Sequence, residues 1–221
     1  MDPTTLVLVR HGVTEHTTGR RFSGGLAGSN PGLSDEGRAQ AASVAKWLGP
    51  VAERIDAVVT SPVRRTRETA AVLAEALGRE VVEEPGFAEM EFGAWDGMAF
   101  GDVAEQHRDD LEAWLGSLDA APGRTGESFR EVEARVLSAL QRVLDEHAGR
   151  TVVVVSHVTP IKTLVAHVLE APLLSVFRME LAPASVSVVS FFDDETPGPP
   201  ASMRLYNALP GQLALEPPGR W

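Results

Sequence analysis

The stretch LVLVRHGVTE, residues 6–15, decides the fold because an apolar run leads directly into an arginine and a histidine. Leu6–Val9 is the kind of short, fully apolar run that forms a strand buried on both faces of a sheet. Arg10 and His11 follow at its end, and Gly12 leaves room for a ligand to approach the backbone closely. Open α/β sheets bind ligands at the carboxyl ends of their strands. Arg10 and His11 are therefore candidate site residues, although position alone also fits an ordinary surface loop.

Composition sets the outer limits on function. The chain has 221 residues and a formal net charge of −11. That length suits one α/β domain, and that charge disfavours bulk binding to nucleic acids or anionic membranes. The absence of cysteine excludes disulfides, thiolate metal sites and a cysteine nucleophile. No signal peptide is visible, and no apolar run approaches the roughly 18 residues of a membrane span. We therefore predict a cytoplasmic protein whose domain contacts neither membrane nor nucleic acid.

Apolar runs alternate with helix signals along the chain. Strands are predicted at residues 6–9, 57–60, 80–83, 151–155, 186–192 and 203–206. Helices are predicted at residues 34–48, 61–78, 100–115 and 128–147, and from 160 onward. Ser34 and Ser61 are the expected N-caps, and Ser128 with Glu131 forms a capping box. This alternation predicts an α/β three-layer sandwich: a mostly parallel central sheet with helices on both faces. We expect a single domain, 1–221, with residues 209–221 as an extended tail.

The segment VVVVSHVTPIK, residues 152–162, repeats the first pattern. A second buried strand ends, and His157 follows it. A lone histidine is more often structural than catalytic. Two histidines at the ends of two buried strands are harder to dismiss, because parallel strands deliver them to one edge of the sheet.

The segment SPVRRTRETA, residues 61–70, places three arginines at the start of a predicted helix. Arg64, Arg65 and Arg67 fall in the first two turns, where the helix dipole disfavours cations. They suggest an anion-binding site in which guanidinium groups and backbone N–H groups bind the same anion. The alternative is a solvated basic face, paired with Glu68 or with the acidic surface.

The segment FAEMEFGAWDG, residues 87–97, sets three carboxylates among aromatic residues. Aromatic neighbours can keep a carboxylic acid protonated, so that it acts as a general acid. The residues alone do not select among Glu89, Glu91 and Asp96. Histidines, arginines and a carboxylic acid at one sheet edge suit metal-free phosphoryl transfer. In such a reaction a histidine attacks phosphorus and an acid protonates the leaving oxygen.

These motifs, in this order, resemble those of the histidine phosphatase superfamily, the phosphoglycerate mutase-like proteins. The matching patterns are RHG at 10–12, SPxxRTxxTA at 61–70, ExxFGxWxG from 89 and SHV at 156–158. The resemblance covers almost the whole chain. It implies that His11 forms a phosphohistidine and that Glu89 is the proton donor, with no metal or cofactor. It also implies that Arg10, Arg65 and His157 bind the phosphoryl oxygens.

Departures from the family pattern concern the expected substrate contacts. Thr17 stands where many members carry an asparagine, and Val158 stands where many carry a glycine. The loop from Ser23 to Leu33 is longer than usual and lacks the customary aspartate. We expect Thr17, Ser23, Gly24 and Val158 to bind substrate.

Two features separate the branches of the family. Residues 98–127 are acidic where mutases carry basic residues, and GESF at 126–129 is typical of the phosphatase branch. The prediction is therefore a metal-independent phosphomonoesterase of the acid phosphatase type that acts on a small phosphorylated metabolite, as a monomer or homodimer. Mutase-type phosphoryl transfer, a non-catalytic phospholigand-binding module and a metal hydrolase built on His11 and His157 are the alternatives.

Within the phosphatase branch the chain is similar to α-ribazole phosphatase-like proteins. It is also similar to the C-terminal acid phosphatase domain of actinobacterial bifunctional ribonuclease H/acid phosphatases. That similarity leaves room for a fused ribonuclease H domain in the full-length protein. A sugar-phosphate or glucosyl-phosphoglycerate phosphatase is the nearest competing assignment.

Overall fold

A six-stranded sheet organises the part of the chain that the structure describes. The structure is a computed structural model and describes residues 2–193, 198 and 200–211. The strands are β1 (Thr4–Arg10), β2 (Ala57–Thr60), β3 (Val81–Glu83), β4 (Thr151–Ser156), β5 (Val186–Phe191) and β6 (Ala201–Ala208). Their spatial order is β3-β2-β4-β1-β5-β6. The first four are mutually parallel and the last two pair antiparallel, so the predicted mostly parallel sheet is confirmed.

Helices cover both faces of this sheet. They are α1 (Glu15–Thr18), α2 (Asp35–Leu48), α3 (Arg64–Leu77), α4 (Phe100–Gln106), α5 (Arg108–Gly116), α6 (Phe129–Glu146) and α7 (Val158–Val168). Short 3₁₀ turns lie at Gly49–Arg54, Pro85–Phe87, Gly93–Trp95, Pro122–Arg124 and Leu173–Arg178. Helices α2 and α3 pack on one face, while α4 to α7 pack on the other. The predicted three-layer sandwich is therefore confirmed.

The apolar run of β1 divides its side chains between the two faces. Leu6 and Leu8 belong to the core beneath α6 and α7. Val7 and Val9 belong to the core beneath α2 and α3. Successive side chains of a strand point to opposite faces, so a strand covered on both faces needs every residue apolar.

Several helix ends are those that the sequence predicts. The Ser34 hydroxyl accepts a hydrogen bond from Gly37 N at 3.1 Å, as the cap of α2. Ser128 and Glu131 form the predicted capping box of α6. Gly78 ends α3 in the left-handed region, with φ of 65°. These ends are set by local chemistry, which explains why they could be read from sequence.

Other helix boundaries differ from the prediction. Helix α3 begins at Arg64, with Val63 and not Ser61 at the N-cap position. The Ser61 hydroxyl accepts a hydrogen bond from Val63 N at 3.3 Å and contacts His157 Nε2 at 2.8 Å. Helix α7 begins at Val158, two residues before the predicted start at Pro160. The predicted helix 100–115 is broken at His107, where φ of −134° and ψ of 39° separate α4 from α5.

Gly12 has a packing role that sequence reasoning missed. A Cβ atom on Gly12 would lie 2.4 Å from the carbonyl oxygen of Gly37. Gly12 therefore allows the first turn of α2 to pack against the end of β1. The expectation that its small size serves a ligand stays a prediction.

The predicted tail, residues 209–221, lies mostly outside the described residues, which end at Gly211. Within the described part, no helix combines the length and apolar character that crossing a membrane requires.

Candidate active site

His11 follows β1 directly and is held in one neutral tautomer. Its Nδ1 lies 2.8 Å from the carbonyl oxygen of Gly12, which can only accept, so Nδ1 carries the proton. Its Nε2 lies 3.2 Å from Arg65 Nε, which can only donate, so Nε2 carries the lone pair. Burial lowers the pKa of His11 well below its usual value, and the charges of Arg65 and Arg10 lower it further. The imidazole is therefore neutral, with its nucleophilic nitrogen towards Arg65.

Arg65 projects from the first turn of α3 and is almost fully buried. Besides His11, its guanidinium contacts the loop that follows α1. Nη1 donates to Ser23 Oγ at 3.3 Å. Nη2 donates to the carbonyl oxygens of Ser23 at 3.0 Å and Gly24 at 2.9 Å. Burial lowers the pKa of Arg65 to about 10, so it remains a cation at neutral pH. One side chain thus connects His11 to the Gly-rich loop.

The expected cluster of three arginines does not form. Arg64 Nε pairs with Glu68 at 2.7 Å, and Arg67 Nη1 lies 3.7 Å from Glu83, both on the surface. Consecutive helical residues point about 100° apart, so only one of the three can face the sheet edge. The solvated alternative is correct for Arg64 and Arg67, and Arg65 alone reaches His11.

Arg10 and His157 complete the cationic end of the site. His157 follows β4, and its ring centroid lies 5.2 Å from that of His11. The register of β1 with β4 pairs Arg10 with Ser156, which brings the two histidines together as predicted. Burial lowers the pKa of His157 well below its usual value, and the cation of Arg65 adds to the effect.

Two nitrogens at this end are buried without a hydrogen-bond partner among the described residues: Arg10 Nε and His157 Nδ1. Arg10 Nη1 is fixed on the carbonyl oxygen of Leu181 at 2.5 Å. His157 Nε2 is fixed on Ser61 Oγ at 2.8 Å. Unpaired buried polar atoms are costly. Six further buried side-chain atoms of the described residues, among them Trp114 Nε1 and His147 Nδ1, also lack a partner.

Glu89 lines the same cavity and is 6% exposed. Its Oε1 accepts a hydrogen bond from Met90 N at 2.8 Å. Its Oε2 lies 3.5 Å from Thr159 N, in the first turn of α7. The Glu89 carboxyl group is thus held at the N-terminus of α7, the helix that follows His157.

Glu91 and Asp96 have a different role, because their carboxylates hold the Gly-rich loop. Glu91 Oε1 accepts from Leu26 N at 2.7 Å and from Ala27 N at 3.2 Å. Asp96 accepts from Gly24 N at 2.6 Å and also from Ser29 N. The structure therefore separates the three carboxylates that sequence reasoning left together.

Arg135 and Glu127 position the segment that carries Glu89, and sequence reasoning missed Arg135. Its guanidinium donates to the carbonyl oxygens of Gly86, Ala88 and Glu89 at 2.7 to 3.1 Å. It also forms two 2.8 Å bonds to the carboxylate of Glu127, the acid of the GESF pattern. No motif marks Arg135, which lies in the middle of α6. Ser61, which orients His157, was likewise read only as a helix cap.

The predicted substrate-binding residues fall around a cavity of about 770 Å³. Thr17, Ser23 and Val158 line it together with Arg10, His11, Arg65 and Glu89. Gly24 lies behind this surface and contributes its carbonyl oxygen to Arg65. His157 also lies behind the lining, packed against His11. Within the described residues, no three His, Asp or Glu side chains are grouped so as to hold a metal ion.

Comparison with known proteins relates the chain to the histidine phosphatase superfamily. The sequence profile of the histidine phosphatase superfamily (branch 1) matches residues 6–197. The chain is 40% identical over 207 residues to the bifunctional protein Rv2228c of Mycobacterium tuberculosis. That alignment covers 93% of this chain and 54% of the relative, so the chain spans about half the length of that protein.

Two further proteins match over most of their length. Phosphoserine phosphatase 1 of Hydrogenobacter thermophilus is 34% identical over 184 residues, which is 83% of this chain and 85% of that protein. The mycobacterial glucosyl-3-phosphoglycerate phosphatase complexed with VO₃ superposes with a TM-score of 0.80 at 28% identity, over 92% of this chain and 98% of that one.

Proposed function

We propose that this chain, which belongs to the histidine phosphatase superfamily, hydrolyses phosphate monoesters of small metabolites through a phosphohistidine on His11. The observation that carries the proposal is the fixed tautomer of His11. Its lone pair on Nε2 faces Arg65, and two unpaired buried nitrogens lie nearby on Arg10 and His157. A phosphoryl group is the anion that fits these donors and also reacts with the nucleophile.

In the first step His11 Nε2 attacks phosphorus, and the bond from phosphorus to the ester oxygen breaks. The hydrogen bond that Arg65 Nε–H donates to His11 Nε2 is replaced by one to a phosphoryl oxygen, which frees the lone pair of Nε2. Arg10 and His157 bind the remaining phosphoryl oxygens and stabilise the charge of the transition state. Glu89, protonated at this stage, donates its proton to the departing ester oxygen. The products are the free alcohol and a phosphohistidine, whose Nδ1–H is held by the Gly12 carbonyl.

In the second step water attacks the phosphohistidine, and the nitrogen–phosphorus bond breaks. Glu89, now a carboxylate, accepts a proton from the attacking water. Orthophosphate leaves, and His11 returns to its neutral form. The lowered pKa of His11 favours this cycle, because an unprotonated nitrogen is required at its start.

The charges around His11 favour a mechanism without a metal ion. Two guanidinium groups, on Arg10 and Arg65, act on the His11 imidazole strongly enough to lower its pKa. A divalent cation at the same place would be repelled by both. The arginines provide the positive charge that a metal would otherwise supply to the phosphoryl oxygens.

The comparisons support a phosphatase and leave its substrate as part of the proposal. The names of the relatives include a phosphoserine phosphatase and a glucosyl-3-phosphoglycerate phosphatase. Both describe hydrolysis of a phosphate ester on a small molecule, which is the reaction proposed here. A cytoplasmic location, a single domain over residues 1–221 and a monomeric or homodimeric state remain predictions.

The test is hydrolysis of p-nitrophenyl phosphate in the presence of a strong chelator. Wild type, His11→Ala and His167→Ala would be compared, the last being an exposed histidine on α7 that serves as the matched control. We expect turnover by wild type and by His167→Ala, and none above background by His11→Ala. Loss of wild-type activity with chelator, restored by a divalent metal, would contradict the metal-free mechanism. Undiminished activity of His11→Ala would contradict the proposed nucleophile.

A further inference from the structure

We infer that the cavity selects phosphate monoesters whose organic part is apolar and carries no ammonium group. The inference rests on the proposed function and names the substrate class of the same site. It predicts that phosphoserine, despite the name of one relative, is a poor substrate for this chain.

Six aromatic residues form a wall of the cavity. Its members are Phe22, Phe92, Phe100, Trp114, Phe129 and Phe177. The rings contact one another in a continuous series, with centroid distances from 4.9 Å for Phe22 and Phe92 to 6.3 Å for Phe92 and Trp114. Packed rings are fixed before a ligand arrives, so they offer an apolar surface that costs little ordering on binding.

The apolar lining continues to the mouth of the cavity. Leu115 on α5 and Leu174 in the turn Leu173–Arg178 both line it and are 41% and 46% exposed. The pair extends the apolar surface to the point where a ligand enters, as expected for a site that buries apolar groups.

The charge of the cavity disfavours an amine. Glu89 is the one carboxylate among the described residues that line it, and it is engaged as the proton donor in the proposed reaction. The cavity lining also contains six cationic side chains. The buried or partly buried ones are Arg10, Arg65 and Lys162, and the exposed ones at the rim are Arg20, Arg21 and Arg178. The three rim arginines form no ion pair with any described acidic residue. An ammonium group on the substrate would be repelled by these cations, and apart from the proton donor Glu89 no carboxylate of the described lining could pair with it.

Four primary alkyl phosphates test the inference with the leaving oxygen held similar. They are 2-phenylethyl phosphate, ethyl phosphate, 2-aminoethyl phosphate and phosphoserine. We expect kcat/KM for the phenylethyl ester to exceed that for ethyl phosphate by about tenfold or more, from burial of the ring. We expect both amine-bearing esters to be poorer than ethyl phosphate.

The possible outcomes distinguish a failure of the inferred substrate preference from a failure of the proposed phosphatase function. A higher kcat/KM for phosphoserine than for the phenylethyl ester would overturn the inference while the phosphatase stands. If neither the four esters nor p-nitrophenyl phosphate is hydrolysed, the proposed function fails, and binding of 3-phenylpropylphosphonate and propylphosphonate is compared by calorimetry. Tighter binding of the phenyl compound would still support an apolar-selective cavity, whereas equal binding would overturn it.

Two leucine variants test whether the preference for an apolar organic group arises at the mouth of the cavity. Leu174→Ser removes an apolar group from the mouth, and Leu169→Ser makes the same change at an exposed leucine outside the cavity. We expect Leu174→Ser to lower the ratio of kcat/KM for 2-phenylethyl phosphate to kcat/KM for ethyl phosphate about fivefold, as a partly buried leucine contact allows, and Leu169→Ser to leave that ratio unchanged. An equal loss for both esters, or the same loss in Leu169→Ser, would contradict the assignment of the mouth.

Discussion

At the scale of single residues, the site depends on atoms that can only donate or only accept. The Gly12 carbonyl and the Arg65 guanidinium together fix the His11 tautomer, and Ser61 fixes the ring of His157. His11, Arg65 and Glu89 could be proposed from motifs. Ser61 and Arg135 could not, because they act through contacts with residues distant in sequence, which no local pattern encodes.

Glu89→Gln tests the proton donor through the leaving group. We expect kcat/KM for an alkyl phosphate to fall about 100-fold or more, within the usual range for general acid catalysis. The loss with p-nitrophenyl phosphate should be much smaller, since p-nitrophenolate leaves without a proton. Steady-state kinetics on both esters measures this, with Glu36→Gln on the exposed face of α2 as control. Equal losses on the two esters would exclude Glu89 as the acid.

At the scale of elements, the Gly-rich loop is the part that sequence describes least well. The loop from Ser23 to Leu33 was recognised in the sequence, yet the side chains that hold it come from Glu91 and Asp96, far along the chain. Helix caps that depend only on neighbouring residues, such as Ser34 and Ser128, were predicted correctly. The cap at Ser61 was not, because a tertiary partner, His157, competes for its hydroxyl.

Gly28→Ala tests whether this loop must be held for activity. A Cβ atom on Gly28 would lie 2.2 Å from Asp96 Oδ2, so the substitution pushes the loop off its anchor. We expect kcat/KM to fall at least about tenfold with little change in the free energy of unfolding, since surface positions away from the core contribute little to stability. Enzyme kinetics and urea unfolding measure the two quantities.

Gly101→Ala is the matched control, because a Cβ atom there meets no atom within 4 Å. It should retain wild-type kinetics. If Gly28→Ala also retained them, the loop would have no part in positioning Arg65 and Ser23.

At the scale of the whole molecule, the fold and the family were predictable because they rest on periodicity and on motif order. The α/β class, the mostly parallel sheet and the histidine phosphatase family are all confirmed. The aromatic wall was not predictable. Its residues come from six places between Phe22 and Phe177, and only the folded chain brings their rings into contact.

Lys162 links the site to the stability of the molecule. Burial and the charge of Arg10 lower the pKa of Lys162 from 10.5 to about 8. Between pH 8 and pH 10 the unfolded chain therefore binds more protons than the folded chain, so the free energy of unfolding rises with pH. The rise from this group is at most about 2.7 kcal/mol over two pH units. Arg10, Arg65 and Tyr206 titrate at about 10 or above and contribute mainly beyond this window.

Lys162→Met should remove this rise and increase stability at pH 7. Urea unfolding from pH 7 to pH 10 measures it, with Lys46→Met on the exposed side of α2 as control. An unchanged pH dependence in Lys162→Met would show that the side chain is not desolvated in solution.

The central claim is tested most directly by trapping the phosphoenzyme. The Glu89→Gln variant would be mixed with p-nitrophenyl phosphate, which needs no acid to leave, and quenched in base, where phosphohistidine is stable. Mass spectrometry would then locate the phosphoryl group. The account predicts one phosphoryl group per chain, on His11, that accumulates because Glu89 is no longer available to activate water. Continued turnover with no phosphoryl group on His11, or with the group on another residue, would contradict it.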